Sequence, residues 1–188
     1  MRPKCDFRKR KAPTCPANVH AHFLTFFSYH RLELLLDKFH CECLLESIRA
    51  TCEQCRFQSC SAIFMPDHFH LLILPAEIQH DMLTFEDDVR KDFSCRVLIV
   101  PETPAQRPFR VREKSGARGH RFWQCGRAYN EVILTPKAAF AKMSCCKRDP
   151  ELPGMTPQSD VGRWVNIISE VQLAEKWKAL CDLANADR

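Results

Sequence analysis

Apolar side chains recur three or four positions apart at Cys41, Leu44, Leu45, Ile48, Cys52 and Cys55, the stripe of an amphipathic helix. Asp37 stands where it can cap that helix, which is predicted to run to about Cys55. Met82, Phe85, Val89, Phe93 and Val97 repeat the spacing and predict a second helix from Asp81 to about Val97. A third helix is predicted to open at Thr135-Pro136, an N-cap followed by proline at the first helical position. It should run to about Arg148, because Asp149 precedes Pro150 and the residue before a proline is pushed out of the helical region. Ile167, Ile168, Val171, Ala174, Trp177, Cys181 and Ala184 share a face and predict a terminal helix.

The remaining apolar segments are short and rich in β-branched and aromatic residues. Val19 to Ser28, Phe57 to Phe64, His68 to Leu74 and Tyr129 to Leu134 read as strands. Met65-Pro66-Asp67 is a turn that joins the second and third of them into a hairpin. The order β-α-β-β-α-β-α predicts an α+β fold, a ferredoxin-like antiparallel sheet with helices on one face, plus a C-terminal helix. The pattern fails in three places. Residues 12–18 are proline-rich and read as a linker behind a basic arm, 101–121 as a long basic loop, and 150–163 as a connector. The expected organisation is thus an arm and linker over 1–18, a folded domain over 19–149, and a connector with its helix over 150–188.

Composition narrows the classes. With 188 residues, 45% hydrophobic and 27% charged, the chain has the make-up of one globular domain with appendages. No apolar run approaches the roughly 18 residues of a membrane span, and the first eleven residues are basic without a secretory apolar stretch. A cytoplasmic protein with no membrane partner is expected. Twelve cysteines would then be thiols. Cys52 and Cys55 form a C-x-x-C, but no second pair completes a four-ligand zinc set, so packing in the core is the reading for them. Six Lys or Arg in residues 1–11 stand against Asp6, and six in 106–121 against Glu113, so the rest of this +5 chain is net acidic. Two readings of the basic segments stand, solvated charge that aids solubility or a phosphate-neutralising surface.

His68 and His70 alternate with Phe69 in a predicted strand, so both imidazoles project from one face about 7 Å apart and are able to share one cation. A bare pair of this kind also occurs on solvated faces. The surrounding sequence Met65-Pro66-Asp67-His68-Phe69-His70-Leu71-Leu72 resembles the signature of the single-tyrosine HUH transposases, specifically the REP-associated tyrosine transposases. Phe26-Phe27-Ser28-Tyr29-His30-Arg31 is similar to that family's first strand and turn. Arg121-Phe122-Trp123-Gln124-Cys125-Gly126 is similar to its Phe-Trp-Gln-x-Gly segment, and Tyr129 and Thr135-Pro136-Lys137-Ala138 follow in register. The resemblance covers roughly residues 19–164.

What the resemblance implies is an HUH-endonuclease fold that binds single-stranded or hairpin DNA and cuts and rejoins it. A divalent metal, Mg²⁺ or Mn²⁺, would sit on His68 and His70 and take up charge on the scissile phosphate, while a helical tyrosine attacks to form a phosphotyrosyl intermediate. Arg107, Arg110, Arg112, Lys114, Arg118 and Arg121 would contact DNA phosphates near the site. Phe122 and Trp123 would either stack on bases or fill the core. The chain departs from the family at the nucleophile. Counting from Pro136-Lys137 to Asp149-Pro150 puts Cys145 in the tyrosine's slot, and the chain's two tyrosines, Tyr29 and Tyr129, lie elsewhere. Cys145 reads as an unreactive thiol, as a surrogate nucleophile, or as a bystander while a displaced tyrosine or water acts. Asp149 reads as a third metal ligand or as a helix cap. The alternative function is therefore a DNA-binding module that no longer cuts.

Overall fold

The computed structural model describes residues 19–77, 80–99, 110–112, 118–146, 164–166 and 168–186. Among these are seven strands, β1 (Ala21–Phe27), β2 (Phe57–Met65), β3 (His68–Pro75), β4 (Arg110–Arg112), β5 (Arg118–His120), β6 (Tyr129–Ile133) and β7 (Trp164–Asn166). The helices are α1 (Lys38–Gln54), α2 (Met82–Ile99), α3 (Pro136–Cys146) and α4 (Glu170–Ala186). Local chemistry sets their ends. The Asp37 carboxylate accepts from the Phe39 amide at 2.9 Å to cap α1, and Asp81 accepts from the Leu83 and Thr84 amides to cap α2. Thr135 Oγ1 accepts from the Ala138 amide to cap α3. Ser169 and Gln172 cap α4 reciprocally, each side chain accepting from the other's amide.

The main sheet is antiparallel in the order β6-β1-β3-β2-β7, the ferredoxin-like order with one strand added at the β2 edge. The α+β fold class predicted from the pattern is the one observed. Leu24, Phe26, Phe64, Phe69, Leu71 and Ile73 point to one face, where they meet Leu44 and Ile48 of α1 and Phe85, Val89 and Phe93 of α2. The second face is also covered. Phe23, Ile63, Leu72 and Leu74 pack there with Ala139 of α3 and Leu173, Trp177 and Leu180 of α4. Cys41 and Cys52 lie in the first core and Cys60 in the second. Burial pushes the Cys52 and Cys60 thiols up to about 12, as expected of packing residues rather than nucleophiles.

Two differences from the sequence pattern follow from pairing that periodicity cannot show. Within 101–121, read as a loop, β4 and β5 form an antiparallel ribbon with Arg110 opposite His120, Val111 opposite Gly119 and Arg112 opposite Arg118. Three residues are too few for an alternation to stand out against prolines and glycines on either side. Strand β7 follows the segment read as a connector, and Ser61, Ala62 and Ile63 of β2 supply its partner. Among the described residues no helix is long and apolar enough to cross a membrane.

Candidate metal centre and nucleic-acid face

Alternation along β3 sends Phe69 into the first core and turns His68 and His70 to the face that carries Leu72 and Leu74. The two imidazole centroids lie 5.0 Å apart, nearly perpendicular at 85°. Helix α3 covers the same face. Lys142 of α3 reaches Glu131 of β6 at 2.6 Å and lies 4.9 Å above the Phe23 ring, which in turn stacks on His70 at 5.2 Å. The i, i+2 spacing and the helix start at Thr135-Pro136 thus place the histidines and α3 together, as the sequence predicts.

Each imidazole is held through one nitrogen. His68 Nδ1 donates to Asp67 Oδ1 at 2.6 Å, and the other Asp67 oxygen receives Arg31 Nε at 2.7 Å. His70 Nδ1 is hydrogen-bonded to Thr25 Oγ1 at 2.9 Å. The Asp67 carboxylate can only accept, so it fixes the His68 proton on Nδ1 and leaves Nε2 with its lone pair, while the Thr25 hydroxyl fixes the orientation of the His70 ring. The pair therefore fits a divalent cation, with Asp67 and Thr25 as the orienting partners. Arg31 is positioned by an uncommon turn, in which His30 and Arg31 have φ of 51° and 59°. The Ser28 hydroxyl holds it by hydrogen bonds to the Leu32 and Asp67 carbonyls.

Burial, then the charges of His68 and Lys142, lowers the pKa of His70 to about 4. On the other face of β1, burial lowers His22 to about 4 too, with the Asn130 hydrogen bond opposing and His20 and His80 adding. The consequence for stability has a definite sign. Unfolded imidazoles bind protons from about pH 6.5 while these two do not, so stability is full above 6.5 and falls as pH drops towards 4. Chelator-treated protein should lose about 1 kcal/mol per histidine by roughly pH 5.5. Urea midpoints measured across this range check it, and a midpoint unchanged from pH 7 to 5.5 would show ordinary imidazoles.

The other predicted site residues divide. Cys145 lies in the last turn of α3, three positions beyond Lys142. Arg110, Arg112 and Arg118 occupy the β4–β5 ribbon, at positions that alternate with Val111 and Gly119. Arg121 lies with its guanidinium 5.6 Å from the Tyr29 ring. The segment after it is tied to the turn beside His68, through Tyr29 N to Phe122 O and Gln124 N to Phe27 O, both 2.9 Å. Phe122 and Trp123 are buried against Phe26, Phe69 and Phe93, so of their two readings the core is the one observed. Arg107, Lys114 and Asp149 lie outside the described residues.

Sequence reasoning passed over several groups that the fold brings in. Asp67 and Thr25 behind the histidines are two, and Lys142 is a third. Tyr129, which the sequence places outside the nucleophile's segment, joins them, since β6, β1 and β3 align Tyr129 with Thr25 and Thr25 with His70, which puts it on the histidine face, half exposed. A further cluster, His20, His22 and His80, brings one ring nitrogen from each within 4.8 Å of the others. His20-x-His22 repeats the spacing of His68-x-His70, and that was the available signal.

No family model matches this sequence, and no curated protein matches it. Among solved structures the chain is similar to one described as "Structure of the REP associates tyrosine transposase bound to a REP hairpin". The superposition has a TM-score of 0.55 at 14% identity and covers 81% of this chain and 79% of that one, a likeness of fold.

Proposed function

We propose that this chain is a transposase-like protein that binds single-stranded or hairpin DNA across the His68–His70 face, with Mg²⁺ or Mn²⁺ on the two Nε2 atoms, and that it forms no covalent link to the DNA. The carrying observation is the pair itself, two imidazoles tethered through Nδ1 by Asp67 and Thr25 on the face that α3 covers. Its support is the likeness to a transposase whose structure holds a REP hairpin. When bound, the metal would supply charge neutralisation for phosphoryl oxygens. The chain's own residues do the rest. Asp67 and Thr25 orient the rings, Arg31 holds Asp67, and Lys142 adds a fixed positive charge beside His70. The basic positions of the ribbon, with Arg107 and Lys114 from the flanking segments, neutralise further phosphates. Strand transfer would additionally need a group that is both nucleophile and leaving group, and Cys145 stands where the family's tyrosine would.

Mn²⁺ titration tests the metal half. His68→Ala or His70→Ala should abolish binding at this site, and Asp67→Asn should weaken it by about 10- to 100-fold. Binding that survives both histidine changes would remove the site. For the DNA half, changing Arg110, Arg112 and Arg118 together to Gln should flatten the dependence of log affinity on log salt by about 2, at roughly 0.7 per phosphate contact on single strands. An unchanged slope would leave the ribbon as solvated surface. One observation favours a second reading in which the enzyme is active, namely the Tyr129 phenol on the histidine face. A phosphotyrosyl adduct of unmutated protein that maps to Tyr129 would establish it.

A further inference from the structure

The sheet carries a second group of imidazoles, at the opposite end of the β1–β3 pair and on its opposite face. His22 pairs with Ile73, while Thr25 pairs with His70 and Phe27 with His68, so roughly 10 to 17 Å of strand separates His22 from the other two histidines. His22 is buried on the α1–α2 side, and His20 and His80 are half-buried beside it. His80 comes from the chain just ahead of α2, 58 residues from His22, so tertiary folding creates this cluster.

We propose that His20, His22 and His80 form a second metal site, for a zinc-class divalent transition ion rather than Mg²⁺ or Mn²⁺. The tautomer at its centre is fixed by chemistry. His22 Nδ1 lies 3.1 Å from Asn130 Oδ1, an atom that can only accept, so the proton is on Nδ1 and Nε2 carries the lone pair. His80 Nε2 lies 2.9 Å from His22 Nε2 and donates a hydrogen bond to it, a proton that a bound ion would replace. Two imidazole nitrogens bound at about 2.0–2.1 Å to one tetrahedral ion stand about 3.3 Å apart, so an ion at this point relaxes the contact slightly. His20 completes the set, its ring 4.7 Å from that of His22 and 5.3 Å from that of His80. One ring nitrogen from each histidine starts within 4.8 Å of the other two, and side-chain torsions of His20 and His80 supply the remaining closure. Among the described residues the donor set is imidazole only. The nearest carboxylate in sequence, Asp81, is engaged as the cap of α2 through Leu83 and Thr84. Three neutral nitrogens without a carboxylate favour zinc, cobalt or nickel over the hard oxygen-seeking ions, and leave one position for water. An ion there would tie β1 to the entry of α2 and, through Asn130, to β6.

The test uses the full chain with His68→Ala and His70→Ala, so that the other histidine pair contributes nothing, under thiol reductant. Titration with Co²⁺ should show one bound equivalent with visible absorption of a tetrahedral nitrogen–oxygen site and no thiolate charge-transfer band in the near ultraviolet. Zn²⁺ should raise the melting temperature of the same protein. Adding His80→Ala, or separately His20→Ala, should weaken Co²⁺ at least tenfold and remove the Zn²⁺-dependent rise in melting. Both rings are half-buried, so these variants fold where His22→Ala need not. Absence of a bound equivalent, unchanged Co²⁺ affinity in both variants, or a thiolate band with the bound ion would overturn the site.

Discussion

Unmutated protein incubated with labelled hairpin DNA and Mn²⁺ should yield no covalent protein–DNA adduct, and Cys145→Tyr should yield one. The expected contrast is between none and detectable, because the step either has a competent nucleophile or does not. In the variant the tyrosine oxygen bonds to phosphorus, the P–O bond to the 3′ side breaks, and the 3′ oxygen leaves with a proton. Cys145 is the position to change on two grounds. The register from Pro136-Lys137 to Asp149-Pro150 aligns it, by the sequence resemblance, with the tyrosine of the REP-associated transposases. Helix α3, which carries it, also brings Lys142 to the histidine face. A thiol in that slot is a soft nucleophile for a hard phosphorus centre. Mass spectrometry of the trapped complex is the measurement. An adduct of unmutated protein on Cys145 would refute the inert-thiol reading, and one on Tyr129 would favour the active alternative. Failure of Cys145→Tyr to form an adduct while it still binds Mn²⁺ and DNA would show that the slot was misplaced.

Phe69→Ala should cost about 3–5 kcal/mol of stability, out of the 5–15 kcal/mol typical of a whole domain. Phe69 is fully buried between the two histidines in sequence, on the face opposite theirs. Its ring stacks on Phe26 at 4.6 Å and 6°, and it also contacts Phe64 and Trp123 edgewise or tilted. Truncation removes the shared neighbour of three aromatic rings contributed by β1, β2 and the 121–124 segment, and a cluster that draws on separate strands collapses poorly around the void. Urea unfolding should show a lower midpoint at similar slope. If the variant does not fold, Phe69→Leu provides the graded version, with a loss near 1 kcal/mol. A loss below about 1 kcal/mol for the alanine variant would mean that this aromatic cluster does not close the α1–α2 core.

Helices α1, α2 and α3 were legible because each obeys a rule that needs no partner, whereas the predicted face of α4 holds only in part, with Trp177 and Ala184 buried but Val171 exposed and Leu173 and Leu180 buried instead. Cys41, Leu44, Ile48 and Cys52 repeat at helical spacing and all four are buried in α1, and Phe85, Val89 and Phe93 do the same for α2. The caps at Asp37 and Thr135 are local hydrogen bonds between a side chain and amides two or three residues on. His68 and His70 were legible for a similar reason, since alternation in a strand is a property of the backbone. The β4–β5 ribbon and β7 were not, because each is three residues long and exists through its pairing partner. The reading of Phe122 and Trp123 was open in sequence, and their burial beside Phe93 decided it.

What the sequence by itself determined is therefore the four helices and four longer strands, their order, the sharing of one face by His68 and His70, and the lack of a tyrosine between Pro136 and Pro150. Each is a matter of spacing along the chain or of residue identity. Only the tertiary structure decided what stands behind the histidines and what else has gathered. The antiparallel register brings Thr25 to His70, and Arg31, returned by a left-handed turn, completes the hold on Asp67. It also brought His80 to His22 across 58 residues, with Asn130 of β6 fixing the tautomer. Metal ligation depends on distances of a few ångströms between side chains far apart in sequence, and periodicity carries no information about those distances until the strands have paired.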